Sequence, residues 1–315
     1  MLAKSALWRN AAACTMLRGR AALSAREDCE MTTNPAWGEA ARGDRPELSV
    51  IDMAALQRAV EDLENTSMAA KLSNMLGKQI EAAGAFVPER ITGMVNKASA
   101  VALKAAMKTA LSSLENKPVS DSRRWHKAAA AISGAAGGAF GLAALAVELP
   151  VSTTLMLRSI ADIGRAEGED LSDPEAALAC LQVFALGGRD KSEEVLESSY
   201  FAMRGVLAKT ISEATRYLVQ KGAADKSAPI LVRFITQIAA RFGIVVSQKL
   251  AAQAIPLLGA AGGAVVNYAF VEHFQTVARG HFTVRRLERK YGAPLVRGEY
   301  ERLAAMARDD KKLTS

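Results

Sequence analysis

The chain is short of aromatic residues, histidine and cysteine, and each shortage closes a class of answers. Phe, Trp and Tyr make up 5% of the 315 residues although 50% are hydrophobic, so the apolar mass is mostly Ala, Leu and Val. Ala and Leu are strong helix formers, and no long alternating Val/Ile/Thr/Tyr run is present to build strands. The expected fold class is all-α, a multi-helix bundle without significant sheet. The three cysteines, Cys14, Cys29 and Cys180, are far apart and odd in number. They make no disulfide framework and no CxxC pair, which favours a reducing cytoplasm. Of the three histidines, His126, His273 and His281, the last two are eight residues apart with no cysteine near, so neither a metal site nor a cofactor is expected.

Catalytic signatures are missing too. There is no GxSxG, and the Gly-rich stretches lack the Lys-Ser/Thr of a phosphate-binding loop. A nucleic-acid partner would call for basic residues interleaved with aromatics. Phe282, Arg285, Arg286 and Tyr291 are only a faint version of that, and no nucleic-acid partner is expected. The chain reads as more consistent with a non-enzyme than with an enzyme.

Charge is present in modest excess. A net charge of +7 is compatible with an anionic membrane surface, nucleic acid or an acidic partner, and does not choose among them. Residues 1–48 mix arginine into every short apolar run. Arg9 and Arg18 leave no room for the ~7–15-residue apolar core of a signal peptide, and the lipoprotein-like box ending at Cys14 has no such core before it. This stretch is expected to be a disordered tail, or to precede a true start at Met31. One helical domain is expected over 49–302, followed by a frayed tail over 303–315.

Helix signals punctuate that domain. Apolar periodicity runs from about Val50 to Ala82, broken by Gly84 and Pro88. A second helix follows to about Glu115, with Lys97, Lys104 and Lys108 spaced by 7 and 4 on one face. Pro150 is expected to open a helix ending near Gly168. Asp173-Pro174 is a start signal and Gly187-Gly188 a stop. Leu196, Tyr200, Met203, Leu207, Ile211, Ala214 and Leu218 form the buried stripe of a helix over 191–221. Pro229 opens an apolar helix reaching Lys249. The last long helix ends on Arg285, Arg286, Arg289 and Lys290, where cations suit the helix dipole.

The hexad GAAGGA occurs twice, at 134–139 and 259–264. Gly134 and Gly138, Gly137 and Gly141, and Gly259 and Gly263 each lie four apart, which strips side chains from one stripe of a helix and lets a neighbour approach closely. Either the stripes pack backbone to backbone inside a bundle, or the two uncharged runs, 128–147 and 250–271, enter a membrane. The first run has twenty residues, ten Ala and four Gly, enough length but little transfer energy. Gln253, Pro256 and Asn267 interrupt the second. Polar residues border both runs: Glu148, Arg158, Asp162, Asn267, Glu272, His273 and Arg279. Buried charges need partners. Arg158 with Asp162 is one expected pair, and Glu148 with Arg158 or Arg279 another. Asn267 is expected to cap a backbone group near a glycine stripe.

The stretches GAAGGAFGLAALAVELPVSTTLMLRSIADIGRAEGEDL and IPLLGAAGGAVVNYAFVEHFQTVARGHFTVRRLERKYG together resemble the EcsC-type family, over roughly residues 60–300 and in the same motif order. The family's acid before Leu-Pro is commonly Asp; here it is Glu148. The resemblance implies a bacterial, mainly helical protein, in some members encoded beside ABC-transporter subunits, and supplies no catalytic residues. Together with the charge, it leads to the expectation of a membrane-associated helper protein. It would sit peripherally at the cytoplasmic side of the inner membrane, with Lys97, Lys104, Lys108, Arg285, Arg286 and Arg289 meeting anionic lipid and ABC-transporter subunits as possible partners. A soluble helical hydrolase or lipid-ligand carrier and an integral protein with two Gly/Ala-rich spans remain alternatives.

Overall fold

A computed structural model describes residues 47–64, 68, 71–72, 89–112, 142–188, 200–221, 228–253 and 259–314. Glu47–Ser315 is one compact unit. Among the described residues it is all-α, with no strand: α1 (Val50–Glu64), α2 (Glu89–Ser112), α3 (Leu142–Ala166), α4 (Pro174–Leu186), α5 (Tyr200–Lys221), α6 (Pro229–Gln253), α7 (Gly259–Tyr291) and α8 (Ala293–Thr314). α7, with 33 residues, is about 50 Å long at ~1.5 Å per residue. It packs against α1, α3, α4, α6 and α8.

Local chemistry explains most helix ends. The Ser49 hydroxyl accepts from the Asp52 amide at 3.2 Å, capping α1. Asp173 Oδ1 accepts from the Glu175 amide at 2.9 Å, and Pro174 takes the first position of α4. From Ala176 to Leu186 every residue of α4 is buried, as expected of a helix apolar all round. Pro150 does not start a helix. It lies inside α3, where it removes one ladder hydrogen bond; the Thr154 hydroxyl donates to its carbonyl at 2.8 Å. α3 ends at Ala166, and Gly168 follows in the left-handed region (φ 81°). The α5 stripe is Tyr200, Met203, Leu207, Thr210, Ala214 and Leu218, with Thr210 buried beside the half-buried Ile211. α8 carries helix through Thr314, across the stretch expected to fray.

Among the described residues, glycine lets backbones approach closely at several points. The first hexad, with Gly134, Gly137, Gly138 and Gly141, lies outside the described residues. The second forms the opening turns of α7, where Gly263 is buried. The tight contacts that are described lie elsewhere. A Cβ on Gly188 would stand 2.2 Å from the Arg241 carbonyl oxygen, one on Gly187 2.5 Å from the Phe274 ring, and one on Gly280 2.7 Å from Leu63. Gly187 ends α4 in right-handed geometry (φ −75°), so the Gly187-Gly188 pair is required by proximity rather than by a left-handed turn.

The scarce aromatics are concentrated. Phe184, Phe242, Phe270 and Phe274 join α4, α6 and α7 with ring centroids 5.1–6.0 Å apart. Of the run 250–271, the described parts belong to α6, through Gln253, and α7, from Gly259. Among the described residues the helix long and apolar enough to cross a membrane is Pro229–Ala252, and half of its most apolar window is buried in the protein. It packs against α2, α4, α5 and α7, as a core helix does.

Gly188→Ala should destabilise the protein by about 3 kcal/mol, because backbone rather than a movable side chain meets the new methyl. Gly205→Ala, where nothing lies within 4 Å of the added carbon, should stabilise it by about 0.5–1 kcal/mol through helix propensity. Urea unfolding of both variants measures the difference.

Candidate functional site

The polar residues singled out in the sequence do not form one cluster. Glu148, near the start of α3, accepts from Lys249 Nζ at 2.6 Å, and both side chains are buried. The ammonium also stands over the Phe270 ring at 4.8 Å. Neither Arg158 nor Arg279 is Glu148's partner; Lys249, on the uncharged flank of the second hexad, takes that place. Arg158 is exposed, and Asp162 pairs with Arg165 at 3.4 Å instead. The ordinary i,i+4 spacing lost to an i,i+3 contact one turn further along. Burial holds the Lys249 ammonium below its usual range, with Glu148 opposing that shift.

The other four, Asn267, Glu272, His273 and Arg279, lie along α7. Asn267 is fully buried. His273 Nε2 shares a 2.8 Å hydrogen bond with the Gly187 carbonyl, tying α7 to the end of α4. Arg279 donates to Glu272 at 3.2 Å and to the Thr276 hydroxyl at 3.0 Å, and Lys71 donates to the same hydroxyl at 3.1 Å. Asp62 stands in the field of Arg279 and Lys71. Burial nonetheless raises its pKa above the ordinary value.

The C-terminal end of α7 is the most organised polar region. Arg285 grips Glu169 through Nε and Nη2 (2.9 and 3.1 Å) and reaches Glu175 at 3.3 Å. Arg289 bonds Glu169 and the Glu167 carbonyl. Arg286 joins Glu167 at 2.8 Å to Asp52 at 3.1 Å. Asp52 also accepts from Lys290 and Tyr291 at 2.7 and 2.8 Å. Its carboxyl is held well below the usual range by the hydrogen bonds from Lys290 and Tyr291, against the effect of burial, with Arg286 adding to them. Burial works to raise the Glu169 carboxyl, but Arg285 and Arg289 hold it low. Arg285, Arg286 and Arg289, expected to face anionic lipid, are therefore engaged by carboxylates of the chain itself.

Beside this ladder, Arg204 of α5 makes a two-pronged contact with Glu288 (2.8 and 3.0 Å) and donates to Tyr200 Oη at 3.3 Å. The phenol oxygen accepts there and shares a 2.9 Å hydrogen bond with His281 Nδ1. His281 Nε2 is buried without a partner among the described residues. Burial, with Arg204 and Arg285 nearby, pushes the His281 pKa well below its ordinary value. Burial likewise raises the Tyr200 phenol. The sequence reading passed over Tyr200, Arg204 and Lys249. The stripe spacing marked Tyr200 as core, and nothing local marks the other two.

The Cys180 thiol is buried and pushed up to about 12 by desolvation, so it holds its proton. Among the described residues no three His, Cys, Asp or Glu groups are placed to hold a metal ion. Two surface features remain. One is a cleft of about 530 Å³ whose walls come from α4, α5 and Arg285 of α7. The other is the outer face of α2, where Met94, Lys97, Val101, Lys104 and Lys108 are all exposed.

The family model described as the EcsC protein family matches residues 42–287. No curated protein and no solved structure matches the chain.

Two outcomes follow from the buried groups. Glu148→Gln should leave the Lys249 charge buried without its counter-ion and cost about 3–5 kcal/mol. Combining it with Lys249→Met should recover most of that loss in urea unfolding. His281 stays neutral in the folded protein, whereas the unfolded chain takes up a proton below about pH 6.5. Stability should therefore fall as pH drops through that value, by about 2 kcal/mol at pH ~5. His281→Asn should flatten the dependence over this window.

Proposed function

The chain belongs to the EcsC protein family, and from that premise and the outer face of α2 we propose that it is a non-enzymatic protein working at a membrane surface, docked on anionic lipid. The observation that carries this reading is the α2 stripe. Residues 94, 97, 101, 104 and 108 follow at spacings of 3 and 4, which puts them on one side of the helix. Met94 is 51% and Val101 57% exposed. Lys97, Lys104 and Lys108 have no carboxylate partner among the described residues, and beyond Glu89 the helix contains no acid. The opposite side, with Val95, Ala102, Leu103, Ala106, Met107 and Leu111, is buried against α3 and α6.

A helix fixed to a core on one side, with lysines and apolar side chains together on the other, has the chemistry of an interfacial contact. The ammonium groups meet lipid phosphates while Met94 and Val101 enter the headgroup boundary. Each lysine near an anionic surface contributes about 1 kcal/mol, screened by salt. The arginine ladder of α7 adds little, since its charge is already balanced within the chain. The net charge of +7 is compatible with this placement, at the cytoplasmic leaflet of the inner membrane. There the protein would assist a membrane complex, with ABC-transporter subunits the partner class that the resemblance implies.

Co-sedimentation of the full chain with vesicles tests this. Vesicles containing an anionic lipid should bind the protein, and neutral phosphatidylcholine vesicles should not. Lys97→Gln, Lys104→Gln and Lys108→Gln together should weaken binding by roughly 100-fold, from ~1 kcal/mol per lysine, without changing the unfolding midpoint. Equal binding of the triple variant and the unaltered chain would refute the assignment of this face.

A further inference from the structure

We infer that the cleft between α4, α5 and the C-terminal half of α7 is a binding site for a small polar oxyanion, a molecule carrying phosphate or carboxylate. Its volume, about 530 Å³, lies in the range of small-molecule sites. Eight of its eleven lining residues carry a polar or charged group, the others being Ala208, Ile211 and Val219. This inference is independent of the α2 face, which lies on another helix.

Gln182 is the observation that points to a ligand. It stands in α4, otherwise apolar from Ala176 to Leu186, and is 4% exposed. Its side chain lines the cleft, and the amide makes no hydrogen bond to another residue of the described chain. That amide is therefore left to bond whatever fills the cleft, water or a ligand. On the facing helix Thr215 lines the same cleft. The Gln182 amide can donate to an oxyanion.

Charge selects the ligand's sign. Arg204, Arg216 and Arg285 line the cleft against one carboxylate, Glu175. Arg204 is held by Glu288 and Arg285 by Glu169, but Arg216 has no ion-pair partner among the described residues and is exposed. The contact between Arg285 Nη1 and Glu175 is the longest of the Arg285 contacts, 3.3 Å, and the Glu175 side chain is 52% exposed. An incoming oxyanion can take that position on the guanidinium, whose flat fork suits phosphate and carboxylate alike.

The test is titration calorimetry on the full chain with inorganic phosphate, glycerol 3-phosphate and citrate, beside thermal unfolding without ligand. At least one probe should bind. Arg216→Gln and Gln182→Leu should each weaken that binding about tenfold or more. The Gln182→Leu protein should unfold at or above the temperature of the unaltered chain, because leucine replaces an amide that had no partner. Lys209→Gln, which removes the same charge from α5 outside the cleft, should leave binding unchanged, as should the triple lysine variant of α2. Absence of binding by all three probes would overturn the proposal. So would equal weakening by Lys209→Gln and Arg216→Gln, or a Gln182→Leu protein that melts earlier and binds normally.

Discussion

The cationic end of α7 has to be neutralised, and much of the bundle is arranged around that requirement. Arg285, Arg286 and Lys290 are supplied with carboxylates by Asp52 of α1, by Glu167 and Glu169 in the turn after α3, and by Glu175 of α4. Arg204 of α5 reaches the same helix through Glu288. Guanidinium groups stay charged even when partly withdrawn from water, and such partners offset the cost of that withdrawal. Asp52 and Arg286 are 234 residues apart in the chain, so this contact is also a long-range closure of the fold. Its net stabilisation is modest in general for exposed pairs. Its larger effect is on register, because a one-residue slip of α7 would rotate the cations away from their carboxylates.

Above the ladder the core is built with few large side chains. Four phenylalanines from α4, α6 and α7 form one cluster, and glycine removes bulk where helices come closest. Gly188 meets the Arg241 backbone and Gly280 meets α1. Small residues and rings are complementary here: the Phe274 ring occupies the space that Gly187 leaves empty. The buried Lys249–Glu148 pair sits beside the same cluster, its ammonium over Phe270. Both the lysine and its acid are linked to the aromatic core, which is why the pair reads as part of the packing rather than as an open reaction centre.

The two surfaces left for recognition differ in kind. The α2 face is lysine-bearing and fixed to the core by its apolar side, the chemistry the proposed lipid contact needs. The cleft of α4 and α5 is concave and lined by donors, which suits a compact polar molecule. The two proposed contacts use no residue in common.

Much of the fold was legible from the residues alone. Helical class, the Asp173-Pro174 start, most of the α5 stripe and the lysine face of α2 all follow from spacings of three and four and from capping chemistry, which act within one or two turns. The Gly187-Gly188 stop was also visible, though its cause was not, because the Arg241 carbonyl and the Phe274 ring come from elsewhere in the chain. Pro150 misled as a helix start because a proline's local preference is weaker than the packing of a long helix around it. The polar site was the least legible part. Arg158, Asp162 and Glu148 looked like natural partners by proximity in sequence, yet Lys249 lies 101 residues from Glu148, and no periodicity carries that information. Composition and periodicity by themselves determined that this chain is helical, which faces are apolar and where cations gather. Only tertiary packing decided which cations are neutralised and which remain exposed, because charge pairing and burial depend on distances in space that helix geometry alone does not set.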